Sequence, residues 1–288
     1  MTEARYFEPE TVDEVVALLA ADEDAKCVAG GASLVAMMNA RLVEPSQLIS
    51  LRHVEELQKI ELNEDGWLQI GALVRHCDVV IAAELTEGNQ VLSQAAGLIA
   101  NPVIRDMGTI GGSVGHFDPA ADYPVALAAL GAEIEIAGAN GRRSVPAGEF
   151  FIDWYETALA PSDLITSIRV PPAPVGSAGI YEKLAKVQGD MGIAMVAVVM
   201  AMAGDAINYL AVSVGGCGPT PIRLPDAEQA LIGGSVDDAA LQDFSNKLVA
   251  ASDPVDDVRA SAAYRKVLIP RFVAQAIDKA KAKLGEAS

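Results

Sequence analysis

Two glycine-rich stretches dominate the interpretation of this chain: Ala29-Gly30-Gly31-Ala32-Ser33-Leu34 and Thr109-Ile110-Gly111-Gly112-Ser113-Val114-Gly115-His116. The second runs directly into Asp118-Pro119-Ala120-Ala121-Asp122. Each stretch follows a short apolar segment, and paired glycines can leave successive backbone N–H groups uncovered and adopt positive φ. Successive free amides of this kind suit an anion such as a phosphate. The two stretches therefore predict the two halves of one phosphate cradle.

Charge and hydropathy exclude several classes of function. The 288 residues include 21 Lys and Arg against 39 Asp and Glu, which gives a formal net charge of −18. Nucleic-acid binding depends on clustered basic residues, so a nucleic-acid partner is not expected. No apolar run approaches the roughly 18 to 20 residues that span a bilayer, and residues 1–5 lack an apolar signal core. We therefore expect a cytoplasmic protein without a transmembrane segment.

Cysteine and histidine residues are few and scattered: Cys27, Cys77, Cys217, His53, His76 and His116. No two cysteines have the C-x-x-C spacing that zinc and iron–sulfur sites use. An isolated histidine is more often structural than a ligand, and no Ser/His/Asp catalytic order is legible. We expect neither a metal site nor a catalytic nucleophile in this chain.

The first glycine stretch is predicted to join a strand to a helix. A capping-box pattern before apolar residues at helical spacing predicts a helix over 12 to about 21. Residues 25–29 are typical of a short strand that ends at the glycines. Ser33 is placed to cap a following helix, in which Met37 and Met38 are expected to face the core.

The remaining chain is predicted to form a second α+β unit from near Gly71 and then a C-terminal domain. The unit follows a hairpin with an Asp65-Gly66 turn. Pro171-Pro172 follows a strand and marks the domain boundary, because proline lacks an N–H and restricts φ. Strands are expected at 133–136, 142–145, 164–170, 181–186, 194–202 and 207–214, and helices at about 77–84, 91–99, 123–130, 241–251 and 260–284.

Spacing alone leaves the ligand of the glycine stretches open. Neither stretch has the G-x-G-x-x-G pattern of a Rossmann site, and the chain contains no P-loop. Two separate amide groups favour a long ligand with a central diphosphate, whose hydroxyls Asp122 could bind. Ordinary tight turns explain the same glycines equally well.

The residues around the glycines resemble those of the FAD-binding medium subunits of the molybdenum hydroxylase family, which includes carbon monoxide dehydrogenase and the flavin domain of xanthine dehydrogenase. The second flavin motif of that family is similar to Ile104-Arg105-x-x-Gly108-Thr109-Ile110-Gly111-Gly112, continued by His116-x-Asp118-Pro119-Ala120-Ala121-Asp122-x-Pro124. Its first motif is similar to residues 29–34. Its C-terminal domain is similar to Gly215-Gly216-x-Gly218-Pro219-Thr220-Pro221-x-Arg223 and to residues 253–265.

This resemblance implies an α+β fold of the vanillyl-alcohol-oxidase/PCMH type. An FAD-binding domain would span 1–172, with FAD between subdomains of about 1–57 and 58–172. A smaller C-terminal domain of the carbon monoxide dehydrogenase flavoprotein type, with an antiparallel sheet and helices, would span 178–288. The boundary agrees with the one predicted at Pro171-Pro172.

The resemblance also assigns residues to the cofactor, none of them catalytic or metal-binding. Backbone N–H groups of the first motif would bind the diphosphate and nearby flavin atoms: Ala29, Gly30, Gly31, Ala32, Ser33 and Leu34. The second motif would line the other side with Thr109, Gly112, Ser113, Gly115 and His116. The remaining assignments are Asp122 to flavin hydroxyls, Ile99 and Ala100 to the ring or ribityl chain, Ile165 to the adenine, and Lys183 to the vicinity of the ring.

Two positions depart from the family pattern. Position 32 is Ala where relatives often carry a polar side chain, and position 113 is Ser where many carry Asn. One or two side-chain hydrogen bonds to the cofactor would be missing, each worth about 0.5–1.5 kcal/mol. We expect FAD binding to survive, with altered affinity or redox tuning.

The function implied by the resemblance is electron transfer within an oxidoreductase complex. The chain would take electrons from a [2Fe-2S] small subunit, store them as reduced FAD and pass them to an external acceptor. Molybdopterin and the [2Fe-2S] clusters would belong only to partner subunits, in a heterotrimer or a dimer of heterotrimers, and the molybdopterin large subunit would hydroxylate the substrate. Because the flavin carries the redox chemistry, no acid–base pair is required of the protein.

Two other functions fit the same residues. One is a stand-alone FAD-dependent oxidase or reductase that binds its own organic substrate beside the ring. The other is a nucleotide-binding or assembly protein without redox activity.

Overall fold

A computed structural model describes residues 4–234 and 238–286 of the chain. Its N-terminal part is built on a three-stranded parallel sheet in the order β1-β3-β2. The strands are β1 (Arg5–Phe7), β2 (Lys26–Val28) and β3 (Gln47–Ser50), and the helices are α1 (Val12–Ala21) and α2 (Leu34–Asn39). The predicted capping box of α1 is present, since Thr11 and Glu14 bond each other's backbone N–H groups.

The next part contains a five-stranded antiparallel sheet in the order β4-β5-β10-β6-β7. Its strands are β4 (Ile60–Leu62), β5 (Leu68–Gly71), β6 (Glu133–Gly138), β7 (Gly141–Pro146) and β10 (Leu164–Val170), with a small separate hairpin of β8 (Phe151–Asp153) and β9 (Glu156–Thr157). Its α-helices are α3 (His76–Val80), α4 (Gln90–Gly97), α5 (Pro102–Met107), α6 (Ile110–His116), α7 (Asp122–Leu130) and α8 (Ala147–Phe150). Two 3-10 turns cover Glu55–Gln58 and Glu87–Asn89.

The C-terminal part is a four-stranded antiparallel sheet covered by helices. The strands β11 (Ala178–Leu184), β12 (Ala194–Ala203), β13 (Ala206–Gly215) and β14 (Ile222–Arg223) follow one another in space as in sequence. The helices are α9 (Pro225–Gln229), α10 (Asp238–Ala251) and α11 (Ala262–Glu286).

Strand β12 is buried on both faces because the C-terminal sheet is a middle layer. Met195, Ala197 and Val199 share a core with α4 and α7 of the preceding part. Residues of the opposite parity, such as Val196 and Val198, pack in a second core with α10 and α11. This double burial explains the nearly uninterrupted apolar run of β12, and it joins the C-terminal sheet firmly to helices α4 and α7.

Most predicted elements are found, with differences where local signals are weak. The β4–β5 hairpin and the β11–β12–β13 meander are confirmed, and Gly66 has the expected positive φ of 82°. Helix α5, the β8–β9 hairpin, β14 and α9 are short elements that the sequence did not predict. Helix α2 has no buried residue, so the expectation that Met37 and Met38 face the core is wrong. Among the helices of the described segments, none has the length and hydropathy to cross a membrane.

Candidate functional site

The first glycine stretch is an open loop between β2 and α2. Gly31 adopts a φ of +73°, in the left-handed region that glycine tolerates. Within residues 4–234 and 238–286, the N–H groups of Gly30, Gly31, Ala32 and Ser33 find no hydrogen-bond acceptor. The predicted side-chain cap from Ser33 to α2 is absent. Four successive free amides around a positive-φ glycine form the kind of concave donor group that binds an anion.

This loop lies directly against the end of α5. A Cβ added to Gly30 would lie 1.8 Å from the carbonyl oxygen of Met107 and 2.9 Å from the Cα of Gly108. A Cβ added to Gly112 would lie 3.8 Å from the Cβ of Ala29. The two glycine stretches, about 80 residues apart in sequence, therefore adjoin in space, as the single-cradle prediction requires.

The second glycine stretch is a helix, so the prediction of a second group of free amides is wrong. Thr109 is the N-cap of α6, and its Oγ1 accepts a hydrogen bond from the Gly112 N–H at 3.2 Å. The Gly111 N–H donates to the Ala72 carbonyl at 2.9 Å, and the Ser113 N–H donates to the Thr109 carbonyl at 3.0 Å. Neither Gly111 nor Gly112 has a positive φ. Gly111 serves close packing instead, since a Cβ on this residue would lie 2.5 Å from that of Ala72.

Helix α6 nevertheless presents the predicted residues on one side. Ile110, Gly111 and Val114 are buried, and so is Thr109 among the residues predicted to line the cofactor. The other predicted residues of this stretch are at least partly exposed: Gly112, Ser113, Gly115 and His116. Ile165 packs near this face, because its Cδ1 would lie 3.4 Å from a Cβ on Gly115.

The turn from α6 into α7 is fixed by its own side chains. Phe117 is buried with a φ of +40°, and Asp118 Oδ1 accepts the Ala120 N–H at 2.8 Å. The hydroxyl of Tyr155, from the β8–β9 hairpin, donates to Asp118 Oδ2 at 3.1 Å, and its ring lies 6.0 Å from that of His116. Asp118 therefore shapes the turn and leads the chain to Asp122.

Asp122 is buried and paired with two groups from β11. Its Oδ2 lies 2.9 Å from Lys183 Nζ, and its Oδ1 accepts a hydrogen bond from the Tyr181 hydroxyl at 2.9 Å. Burial raises the pKa of Asp122, while the adjacent ammonium of Lys183 opposes the rise. A carboxylate can accept about four hydrogen bonds, so these partners leave capacity for a ligand.

Lys183 also touches the segment predicted to meet the flavin ring. Its Nζ donates to the Leu98 carbonyl at 3.2 Å. The guanidinium of Arg105 donates to the next two carbonyls, those of Ile99 at 2.7 Å and Ala100 at 3.3 Å. The sequence does not predict Arg105, which is only a member of a motif there, or Tyr181 as site residues, because both act through residues that no local pattern connects to them.

The residues fit a flavin dinucleotide by the shape and chemistry of the cradle. Free amides in the first loop suit a diphosphate, glycines at 30 and 112 keep side chains out of the space where the two stretches meet, and apolar segments flank that space.

The family comparison agrees with this geometry. Residues 2–173 match the family described as the FAD binding domain in molybdopterin dehydrogenase. The chain belongs to this family. Residues 179–280 match the CO dehydrogenase flavoprotein C-terminal domain. FAD is thus the cofactor of this chain, and its predicted α+β fold class is confirmed.

Individual relatives align over almost the whole chain. The carbon monoxide dehydrogenase medium chain of Hydrogenophaga pseudoflava is 34% identical, with 96% of this chain and 97% of the relative covered. The nicotine 6-hydroxylase medium subunit of Paenarthrobacter nicotinovorans is also 34% identical, with 97% and 98% covered.

Solved structures show the same similarity in space. A chain of the carbon monoxide dehydrogenase from Hydrogenophaga pseudoflava superposes with a TM-score of 0.93 at 35% identity, covering 97% of this chain and 98% of that chain. A chain of quinoline 2-oxidoreductase from Pseudomonas putida 86 gives 0.91 at 28% identity, with 98% of both covered. The protein is a flavoprotein of the medium-subunit type found in oxidoreductase complexes of the molybdenum hydroxylase family.

Proposed function

We propose that this chain is the electron-transfer subunit of a molybdenum-containing hydroxylase or dehydrogenase, which takes electrons from a [2Fe-2S] subunit and passes them to an external acceptor. The observation that carries the proposal is the run of free amides from Gly30 to Ser33 beside the exposed face of α6. When bound there, FAD supplies the redox chemistry. The chain's own residues bind and orient it.

The first loop holds the diphosphate in this proposal. Its donors are backbone N–H groups, which carry no conformational freedom of their own and favour an anion at the start of α2. The exposed face of α6 lines the opposite side with Gly112, Ser113, Gly115 and His116. Thr109 Oγ1 already accepts the Gly112 N–H, and its hydroxyl proton remains available to donate.

The other end of the cofactor lies against the C-terminal domain in this proposal. Ile99 and Ala100 meet the ring or ribityl chain, Lys183 lies near the ring and Ile165 meets the adenine. Asp122 accepts hydrogen bonds from flavin hydroxyls with the lone pairs that Tyr181 and Lys183 leave free. The corresponding division of the chain is 1–172 for the FAD-binding domain, with subdomains of about 1–57 and 58–172, and 178–288 for the C-terminal domain.

The partners proposed are an iron–sulfur small subunit and a molybdopterin large subunit, in a heterotrimer or a dimer of heterotrimers in the cytoplasm. Support comes from the relatives, which are named medium chains or medium subunits. Substrate oxidation then takes place at the molybdenum centre of the partner, so substrate specificity does not reside in this chain.

Purification from the native source tests this function. We expect the chain to copurify with a larger and a smaller polypeptide, and metal analysis of the complex to find molybdenum and iron. If the chain is isolated with FAD but without those polypeptides and metals, it is a stand-alone flavoenzyme and the electron-transfer proposal is wrong.

A further inference from the structure

Ala100 has an unusual backbone conformation for a residue with a side chain. Its φ is +43°, in the left-handed region that a non-glycine residue enters at a cost of about 1 kcal/mol or more. Within the parts of the chain that the structure describes, its N–H finds no acceptor. Such a conformation persists only where surrounding contacts hold it in place.

The contacts that hold this segment are cationic side chains. Arg105 Nη1 donates to the carbonyls of Ile99 and Ala100, at 2.7 and 3.3 Å, and Lys183 Nζ donates to the preceding carbonyl of Leu98 at 3.2 Å. Three successive carbonyl groups are therefore turned toward two positive charges. Hydrogen bonds from charged donors are stronger than neutral ones, so this arrangement can offset the backbone cost at Ala100.

A glycine of the C-terminal domain closes over the same carbonyl. A Cβ on Gly189 would lie 2.3 Å from the Ala100 oxygen. Gly189 itself has a φ of +89°, so both backbone segments at this contact are in conformations that restrict substitution.

Arg105 also links the two ends of the flavin site, because it lies on α5. Two residues further along that helix, the Met107 carbonyl abuts Gly30 of the diphosphate loop. Asn101 fixes the start of the helix, since its side chain accepts the Ile104 N–H at 3.1 Å. One short helix thus sets the distance between the loop at residues 30–33 and the segment at 98–100.

We infer that Arg105 is a positioning residue of the flavin site: its guanidinium holds Ile99 and Ala100 in the conformation that meets the flavin. The free Ala100 N–H is the group it orients. This inference rests on the proposed placement of the flavin against Ile99 and Ala100, and it concerns how the protein binds and tunes FAD rather than whether partner subunits exist.

The test compares Arg105→Gln, Arg105→Lys, Ala100→Gly and the double variant Arg105→Gln/Ala100→Gly in the full-length protein. Titration of the deflavinated proteins with FAD gives dissociation constants, and the visible spectrum and midpoint potential of bound flavin report its surroundings. We expect Arg105→Gln to raise the dissociation constant about tenfold and to shift the spectrum and the potential. Arg105→Lys should have a smaller effect, because an ammonium lacks the guanidinium fork.

The double variant shows whether Arg105 acts by holding the backbone at Ala100 or only by stabilising the fold. Glycine adopts the conformation of Ala100 without the steric cost, so Ala100→Gly should restore part of the affinity and the spectrum that Arg105→Gln loses. Arg75→Gln is the matched control, because Arg75 is a half-exposed arginine that pairs with Asp78 and Asp106 instead of backbone carbonyls. The FAD dissociation constant of Arg75→Gln should stay within about twofold of the wild-type value.

Two results would overturn the inference. One is an Arg105→Gln protein that binds FAD with the affinity, spectrum and potential of Arg75→Gln. The other is a double variant no closer to wild type than Arg105→Gln, because Arg105 would then act through something other than Ala100. If Arg105→Gln does not fold, the same comparison is made with Arg105→Lys. Wild-type protein that carries FAD but copurifies without partners would overturn only the proposed function.

Discussion

Gly30 is the residue at which the first glycine stretch touches the end of α5, just before the second stretch begins. The Met107 carbonyl occupies the place where any other residue would have its Cβ, 1.8 Å away, and neither of these backbone segments can move without disturbing its neighbours. Gly30 is therefore required by close approach rather than by a positive φ, whereas the next residue, Gly31, is required by its φ of +73°. Two adjacent glycines serve two different physical needs.

Replacement of Gly30 by Ala should separate the first loop from α5. We expect the FAD dissociation constant to rise about tenfold or more, and the melting temperature to fall, because the added methyl group cannot be accommodated. Gly148→Ala is the control, since a Cβ at position 148 meets no atom within 4 Å. Equal FAD affinity in the two variants would show that the contact at Gly30 does not shape the site.

His76 lies beneath the second glycine stretch and should make stability depend on pH. It is buried, its Nδ1 lies 3.0 Å from the Tyr123 hydroxyl, and burial lowers its pKa from 6.5 to about 4. The unfolded chain therefore binds this proton below pH 6.5, but the folded chain does so only near pH 4. The free energy of unfolding should decrease by about 3 kcal/mol as the pH falls from 6.5 to 4.

Urea unfolding of wild type and His76→Gln across this pH range isolates the contribution of His76. All other groups titrate equally in wild type and in His76→Gln. The difference between their free energies of unfolding should therefore change by about 3 kcal/mol between pH 6.5 and pH 4. Parallel curves would mean that His76 is not the titrating group.

Helix α6 is the element on which the second motif depends. Its glycines give it a poor intrinsic helix propensity, so the helix relies on the Thr109 cap and on packing against Ala72. The same glycines leave its exposed face flat at positions 112 and 115, which allows a ligand to approach the backbone. Close packing against Ala72 and access for a ligand to the helix backbone therefore both require small residues in α6.

Thr109→Ala should destabilise this helix by about 1 kcal/mol, because the Gly112 N–H loses its acceptor. Thr109→Ser keeps the hydroxyl and should stay close to wild type. The free energy of unfolding, measured with bound FAD removed, checks both values. A Thr109→Ser protein as unstable as Thr109→Ala would assign the effect to the lost methyl group instead of the cap.

The sequence predicts these elements well where the signal is local. The capping box at Thr11 and the turn at Gly66 are predictable because their chemistry involves residues a few positions apart. The second glycine stretch was predicted as a turn, because a glycine pair is more typical of turns than of a capped helix. Helix α5 was missed since it has only six residues, although Asn101 followed by Pro102 is a start signal that could have indicated it.

At the scale of the whole molecule, the C-terminal sheet completes the site as well as the core. Lys183 and Tyr181 of β11 reach Asp122 at the start of α7, and the Lys183–Asp122 pair joins residues 61 positions apart. The strand order could not be predicted either, since β10 lies between β5 and β6 far from its neighbours in sequence. Such long-range pairings follow from the packing of whole layers. The prediction that Lys183 lies near the cofactor comes from the family resemblance alone.

Lys183→Met should weaken the junction between the C-terminal sheet and α7. Both charges of the pair are almost fully buried, and removal of one partner from a buried pair costs about 3–5 kcal/mol. Lys279→Met is the matched control on the neighbouring Glu182, because Lys279 is half exposed and its removal should change stability by about 1 kcal/mol or less. Similar free energies of unfolding for the two variants would indicate that the Asp122–Lys183 pair is not an important tie.

The identity and amount of the cofactor released from the purified native protein test the central claim most directly. Acid denaturation followed by mass spectrometry of the small molecules should find FAD, at about one molecule per chain, since a single diphosphate loop faces α6 in the described structure. Absence of flavin from the native protein, together with failure of the protein to take up added FAD, would contradict the flavin site built from Gly30, Gly31 and α6.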